Sequence, residues 1–238
     1  MNAPDRVAHD DFERTRQSLS DGTFLAHFRS NPPPGASFRS DEQLQDSLVQ
    51  ALQVHDPAQD LHVFGYGSLM WNPAIDALQG SVALVRGWRR DFCLRVHAGR
   101  GSLERPGAML ALDRGGACKG VLYRIAAAKV QTELSLLWRR EMLSGAYDWR
   151  RVEACVGTEK IPALTFVVRR DHERYIGRKS NAYLAHLIRT GEGALGSSRA
   201  YFDATLATLA RLRIRDAGMQ RLQQVVQQAD AQDSLPRA

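Results

Sequence analysis

Between Leu61 and Val168 the chain is cut by turn residues into short apolar runs: Leu61–Phe64, Ser81–Val85, Asp91–Val96, Ala108–Leu112, Gly120–Ile125, Val152–Val156 and Leu164–Val168. Runs of this length, rich in β-branched and aromatic residues and bounded by Gly, Asp and Pro, read as strands. Their spacing is too irregular for the strand–helix alternation of a doubly wound parallel sheet. They predict an α+β fold, a small mixed or antiparallel β-barrel flanked by helices. Helical periodicity occupies the remainder at Ala126–Leu143, Ser180–Thr190, Arg199–Leu212 and Met219–Ala229.

Residues 1–60 hold two short helical segments and too few apolar positions for a core of their own, so they read as a helical N-terminal extension. The first segment spans Asp10 to Phe28, and Asn31-Pro32-Pro33-Pro34-Gly35 then breaks regular structure, because proline lacks the donor and restricts its predecessor. The second starts at Ser40, has Gln43 three residues on as in a capping box, and carries Leu44, Leu48, Ala51 and Leu52 at helical spacing until Asp56-Pro57 ends it. The expected organisation is an extension (1–60), a main domain built on the strands (61–216) and a C-terminal helix and tail (217–238), the last Gln-rich from Gln220 to Gln232.

At 44% hydrophobic and 24% charged residues the chain has the balance of a folded domain, which excludes disorder as its main state. No run approaches membrane-spanning length, and Met1 to Asp11 carries acids and a histidine in place of an apolar leader segment, so no membrane association is expected. Cys93, Cys118 and Cys155 are odd in number and far apart, which suits free thiols in a reducing, cytoplasmic setting. The net charge is +6, yet the arginines come as separated pairs, Arg89-Arg90, Arg139-Arg140, Arg150-Arg151 and Arg169-Arg170. Scattered pairs make no stripe, so no nucleic-acid partner is expected, while the positive field can draw in a small anionic substrate.

Val63-Phe64-Gly65-Tyr66-Gly67-Ser68-Leu69 is a strand that stops on two glycines, an aromatic ring and a hydroxyl. Without a Cβ, glycine lets the backbone turn sharply and approach a ligand closely. A dinucleotide fingerprint would need glycine where Met70 stands. A nucleophile elbow around Ser68 would need glycines where Tyr66 and Met70 stand. Ser68 therefore reads as a binding hydroxyl, and the segment as either a structural turn or a backbone cradle for an anion.

Leu134, Leu137, Trp138 and Glu141 share one helical stripe, with Arg139 and Arg140 off it. A carboxylate on an apolar face must be paired, protonated or functional. From the pattern, a structural ion pair with one of the arginines competes with a proton-transfer role. Among other candidates, His62, His97, His172 and His186 lack metal-ligand spacing, Glu104 falls on an expected loop, and Tyr201 opens a helix. No metal or cofactor is expected.

Together these segments resemble the ChaC-type, glutathione-specific γ-glutamylcyclotransferase family from Val63 to about Asp216. The matching motifs are Phe64-Gly65-Tyr66-Gly67-Ser68-Leu69-Met70-Trp71-Asn72-Pro73, Gly87-Trp88-Arg89-Arg90-Asp91-Phe92-Cys93-Leu94, Arg100-Gly101-Ser102, Pro106-Gly107, Gly120-Val121-Leu122-Tyr123-Arg124, Trp138-Arg139-Arg140-Glu141-Met142, Tyr175-Ile176-Gly177-Arg178, and Tyr201-Phe202 through Ile214-Arg215-Asp216. The sequence departs from that pattern at Phe202 and at Ser102-Leu103. The resemblance implies a small barrel in which the Tyr66-Gly67-Ser68-Leu69 loop holds a γ-glutamyl group, Glu141 is the catalytic acid/base and Tyr201 helps close the pocket. It implies conversion of glutathione, a small-molecule substrate, to 5-oxoproline and cysteinylglycine. The alternatives are a serine-type γ-glutamyl amidohydrolase using Ser68 with His62, and a non-catalytic module that binds γ-glutamyl metabolites.

Overall fold

In a computed structural model, which describes residues 15–30, 32 and 37–233, the seven expected runs condense into five strands. These are β1 (Leu61–Gly65), β2 (Gln79–Val96), β3 (Gly107–Ile125), β4 (Tyr147–Val156) and β5 (Glu159–Val168). Ser81–Val85 and Asp91–Val96 are halves of β2, and Ala108–Leu112 and Gly120–Ile125 are halves of β3. The glycines between the halves mark a bulge and not a chain reversal. Arg86 pairs with Ala117 and Trp88 with Arg114, so β3 carries one residue more than β2 across this step. Gly87, Gly115 and Gly116 take the positive φ that the step requires.

The strands close in the order β1-β3-β2-β4-β5. Neighbours are antiparallel along this order, and a parallel contact of Val63 with Leu164 brings β1 to β5. Phe64, Val85, Leu112, Leu122, Ala154 and Val167 belong to a buried cluster to which all five strands contribute, the filling of a small barrel. A second, larger cluster lies between barrel and helices and includes Leu94, Leu134, Trp138, Phe166, Leu187 and Phe202.

The extension supplies α1 (Arg16–Ser20), α2 (Thr23–Ser30) and α3 (Asp41–Gln53). The expected first segment thus appears as two helices, its part before Thr15 lying outside the described residues, as does the proline linker apart from Pro32. The capping box at Ser40 and Gln43 forms with both reciprocal hydrogen bonds, and Val54 caps the other end of α3. Leu19, Phe24, Phe28, Leu44, Leu48 and Ala51 are buried in the larger cluster, so the extension shares its core with the helices of the barrel.

The helix expected over Ala126–Leu143 starts as a 3-10 turn (Ala127–Lys129), continues as α4 (Val130–Leu137) and ends in a π-helical turn (Trp138–Met142). After the barrel come α5 (Asn181–Thr190), α6 (Ser198–Arg211) and α7 (Ala217–Asp233), with a two-residue hairpin, β6 (Glu192–Gly193) and β7 (Gly196–Ser197), between α5 and α6. Among the described residues no helix is long and apolar enough to cross a membrane.

Candidate active site

Strand β1 runs out at Gly65, and the chain turns through Tyr66 and Gly67 into a single 3-10 turn, Ser68–Met70. Close approach rules out a side chain at Gly65 and crowds one at Gly67. A Cβ at 65 would lie 2.8 Å from the Leu69 Cβ, and one at 67 would lie 3.0 Å from the Tyr201 hydroxyl. The loop is tied down from three sides. Arg90 donates from Nε to the Tyr66 carbonyl at 2.7 Å, the Tyr123 hydroxyl donates to the Leu69 carbonyl at 2.9 Å, and the Met70 amide donates to the Gly67 carbonyl at 2.9 Å. The amides that open such a turn have no partner within it, which leaves them for an anion or an oxyanion.

Facing this loop is the end of α4. An ideal α-helix would turn Arg140 away from the stripe that holds Glu141, and here the sequence expectation is corrected. The π-helical turn is wider, so consecutive side chains both point inward. The Arg140 side chain is 1% exposed and that of Glu141 is 12% exposed. Arg140 donates from one terminal nitrogen to Ser68 Oγ at 3.0 Å and from the other to the Asn72 carbonyl. Its Nε lies 2.7 Å from Glu141 Oε1, a contact of opposite charges without the alignment of a hydrogen bond. Arg139 does lie off the stripe and donates to the Leu19 carbonyl at the end of α1.

A second acid on α4, which the stripe did not single out, shows what a purely structural pairing looks like. Glu133 is 1% exposed, receives two hydrogen bonds from Arg16 at 2.5 and 2.6 Å, and accepts a third from the Asp76 amide at 2.9 Å. Glu141 is held from one side by Arg140 and borders a cavity on the other.

All six residues predicted for the site, Tyr66, Gly67, Ser68, Leu69, Glu141 and Tyr201, line that cavity, whose volume is about 20 Å3. Met109, Leu110, Tyr147 and Phe166 complete its wall. Tyr201 is 3% exposed and packs edge-on against Trp71 and Phe92, with the Arg100 guanidinium 5.9 Å from its ring centre. The Tyr147 hydroxyl donates to the Leu110 carbonyl at 2.9 Å. Burial, reinforced by neighbouring phenols and by the Glu141 carboxylate, pushes the Tyr66 and Tyr147 hydroxyls well above the usual tyrosine range. Both stay protonated at neutral pH.

Sequence reasoning missed Tyr147, Arg140 and Phe166. Tyr147 opens a strand whose expected start was Val152, and the inward turn of Arg140 depends on a π-helical step that no residue pattern announces. His62 stays on β1 in a surface cleft with Asp60 and Ile161, and burial, with Arg124 nearby, holds its ring below the usual histidine range. Glu104 is exposed, as expected. Among the described residues no group of His, Cys, Asp and Glu is placed to hold a metal ion.

The family described as ChaC-like protein matches residues 61–229. Glutathione-specific gamma-glutamylcyclotransferase of Escherichia coli (strain K12) is 37% identical over 182 residues, covering 76% of this chain and 78% of that protein. Glutathione-specific gamma-glutamylcyclotransferase 1 of Mus musculus is 31% identical over 178 residues, covering 73% and 77%. The fold is that of a crystal structure of a yeast gamma-glutamyl cyclotransferase specific to glutathione, with a TM-score of 0.66 at 19% identity, covering 71% of this chain and 96% of that one. On the family match and the two sequence relatives, the chain belongs to the ChaC-like family.

Proposed function

We propose that this protein is a glutathione-specific γ-glutamylcyclotransferase that uses Glu141 as its general acid and base. The observation that carries the reading is the meeting of Glu141 with the Tyr66–Leu69 loop at one small cavity. The relatives are named for the same activity.

Glutathione brings its own nucleophile, the α-amine of the γ-glutamyl group. Attack of that nitrogen on the γ-carbonyl forms a C–N bond and closes the lactam ring of 5-oxoproline, while the C–N bond to the cysteinyl nitrogen breaks. The reaction is intramolecular, so the protein has to fold the substrate into a near-attack shape and move protons. An ammonium cannot attack. Glu141 takes one of its protons, the nitrogen sheds a second as the lactam forms, and the departing nitrogen of cysteinylglycine gains both, one of them from the same carboxyl, so it leaves as an ammonium and the enzyme ends as it began. With Tyr66 and Tyr147 held protonated, Glu141 is the wall residue suited to that traffic. The opening amides of the Ser68–Met70 turn suit the substrate α-carboxylate or the developing oxyanion. A space of about 20 Å3 holds one water, so binding a γ-glutamyl group requires the walls to part.

The amidohydrolase alternative lacks its base. Ser68 Oγ accepts a hydrogen bond from Arg140, and His62 does not line the cavity. A guanidinium donor holds the hydroxyl without activating it. The test is incubation with glutathione and mass spectrometry of the products. The wild type should yield 5-oxoproline and cysteinylglycine, and Glu141→Gln should bind glutathione but lose most turnover. Release of free glutamate, or substantial cyclisation by Glu141→Gln, would sink the reading.

A further inference from the structure

Of the arginine pairs only Arg89-Arg90 joins other cations of the chain at one concave surface. A cavity of about 430 Å3 lies where β2, β3 and the start of α7 meet the segment before α5, and it shares no lining residue with the cavity at Glu141. Seven cations and two carboxylates face it. Both carboxylates are neutralised within the wall. Asp91 pairs with Arg89 at 3.1 Å, and Asp216 pairs at 2.6 Å with Arg90, whose side chain is fully buried. Asp216 also accepts from the Met219 amide at 3.1 Å, which fixes the first turn of α7.

Five cations remain: Lys119, Arg178, Lys179, Arg215 and Arg221. Each is exposed, and none pairs with a carboxylate among the described residues. Elsewhere on this surface arginines take acidic partners, as Arg189 does with Asp230 and Asp233, and Arg199 with Asp203 and Asp230. Ala217 and Gly218, at the positive end of the seventeen-residue helix α7, form part of the same wall. Like charges that converge on a concave wall repel one another, and an anion that enters relieves the repulsion. One small oxyanion would engage a fraction of five spread cations, whereas a linear chain of phosphates could reach several.

We propose that this cavity is a second binding site, for an anion carrying a short phosphate chain, free or on a nucleotide. Arg90 lies beneath it, joining Asp216 to the Tyr66 carbonyl of the substrate loop, so the floor of one site is the support of the other.

The experiment is isothermal titration of the full-length protein with inorganic tripolyphosphate and with ATP at low salt. Tripolyphosphate should bind at least tenfold tighter than sulfate and should weaken at least tenfold when salt is raised to a few hundred millimolar. The exposed pair Arg178→Glu and Lys179→Glu should cost at least tenfold in affinity, while Arg150→Glu on β4, outside this cavity, should change it little. Tighter ATP binding supports a nucleotide as the source of the chain, and equal binding supports a free chain. Absence of binding, equal affinity for sulfate, or insensitivity to the paired reversal would overturn the proposal. So would tight binding of an oligonucleotide that tripolyphosphate fails to displace, since that would make the face a nucleic-acid surface.

Discussion

Substituting Arg16→Met tests how the N-terminal extension holds the helix that delivers Glu141. Arg16 in α1 places two hydrogen bonds on Glu133, a carboxylate 1% exposed, and α4 runs from Glu133 directly into the π-helical turn. Without Arg16 that charge keeps the Asp76 amide as its hydrogen-bond donor. Breaking a fully buried pair costs about 3–5 kcal/mol, because the stranded charge remains desolvated. The Arg16 side chain is 44% exposed, so water replaces part of what is lost and the expected cost falls to about 2 kcal/mol. In urea, with a slope of about 2 kcal/mol per molar, the unfolding midpoint should drop by about 1 M. Adding Glu133→Gln removes the stranded charge and leaves an acceptor for the Asp76 amide, so the double variant should recover roughly half of the loss. A single variant within about 0.2 M of wild type would show that water solvates the carboxylate once α1 lets go. A double variant no better than the single would show that packing of α1, and not the charge, carries the effect.

Gly67→Ala places a methyl group 3.0 Å from the Tyr201 hydroxyl, whose ring is wedged between Trp71 and Phe92, so a fall in glutathione turnover larger than the loss of stability is expected from parallel kinetics and melting curves. Asp113 gives a pH signature. Burial alone would raise its carboxyl, but Arg170, the Arg114 amide and Tyr175 hold it below the ordinary value. Its contribution is therefore complete above the unfolded value of about 4 and is lost as pH falls through the lower folded one. Asp113→Asn should lower stability at neutral pH by about 2 kcal/mol and flatten the decline below about pH 4, which unfolding curves across that range would check. Finally, Cys93 and Cys118 are buried, and burial pushes the Cys118 thiol up to about 11 and Cys93 higher still, whereas Cys155 is half-buried. A disulfide reagent at pH 8 should titrate one thiol quickly and all three only after unfolding, and Cys155→Ser should abolish the fast phase.

The sheet was legible in its class and closure but not in its strand count. Periodicity marks where side chains alternate, and it is interrupted alike by a turn and by a bulge. Gly87 faces the Gly115-Gly116 pair across β2 and β3, so one irregular step breaks both patterns at once and suggests two short hairpins where one long hairpin exists. Helix ends fared better wherever a side chain closes the first turn, as at Ser40, Ser180 and Ser197, because a cap is a local interaction between residues three apart.

The site was legible for a different reason. Leu69 leaves no room for a Cβ at Gly65, and the Tyr201 hydroxyl crowds one at Gly67, so both positions leave a mark in the sequence. The hydroxyl of Ser68 and the acid at Glu141 are likewise visible as residue types. The environment that distinguishes Glu133 of α4 from Glu141 of the π-helical turn could not be read. Glu133 and Glu141 lie eight residues apart on the same helix, and an unbroken α-helix would put them on neighbouring faces with similar prospects of an ion pair. The difference comes from partners remote in sequence: Arg16, 117 residues away, closes on Glu133, while Ser68, 72 residues from Arg140, takes one end of the guanidinium beside Glu141. One arginine thus touches both the loop hydroxyl and the acid and links their positions in the fold. A widened helical turn lets neighbouring residues do this together, Arg140 meeting the loop hydroxyl while Glu141 faces the cavity that the loop lines.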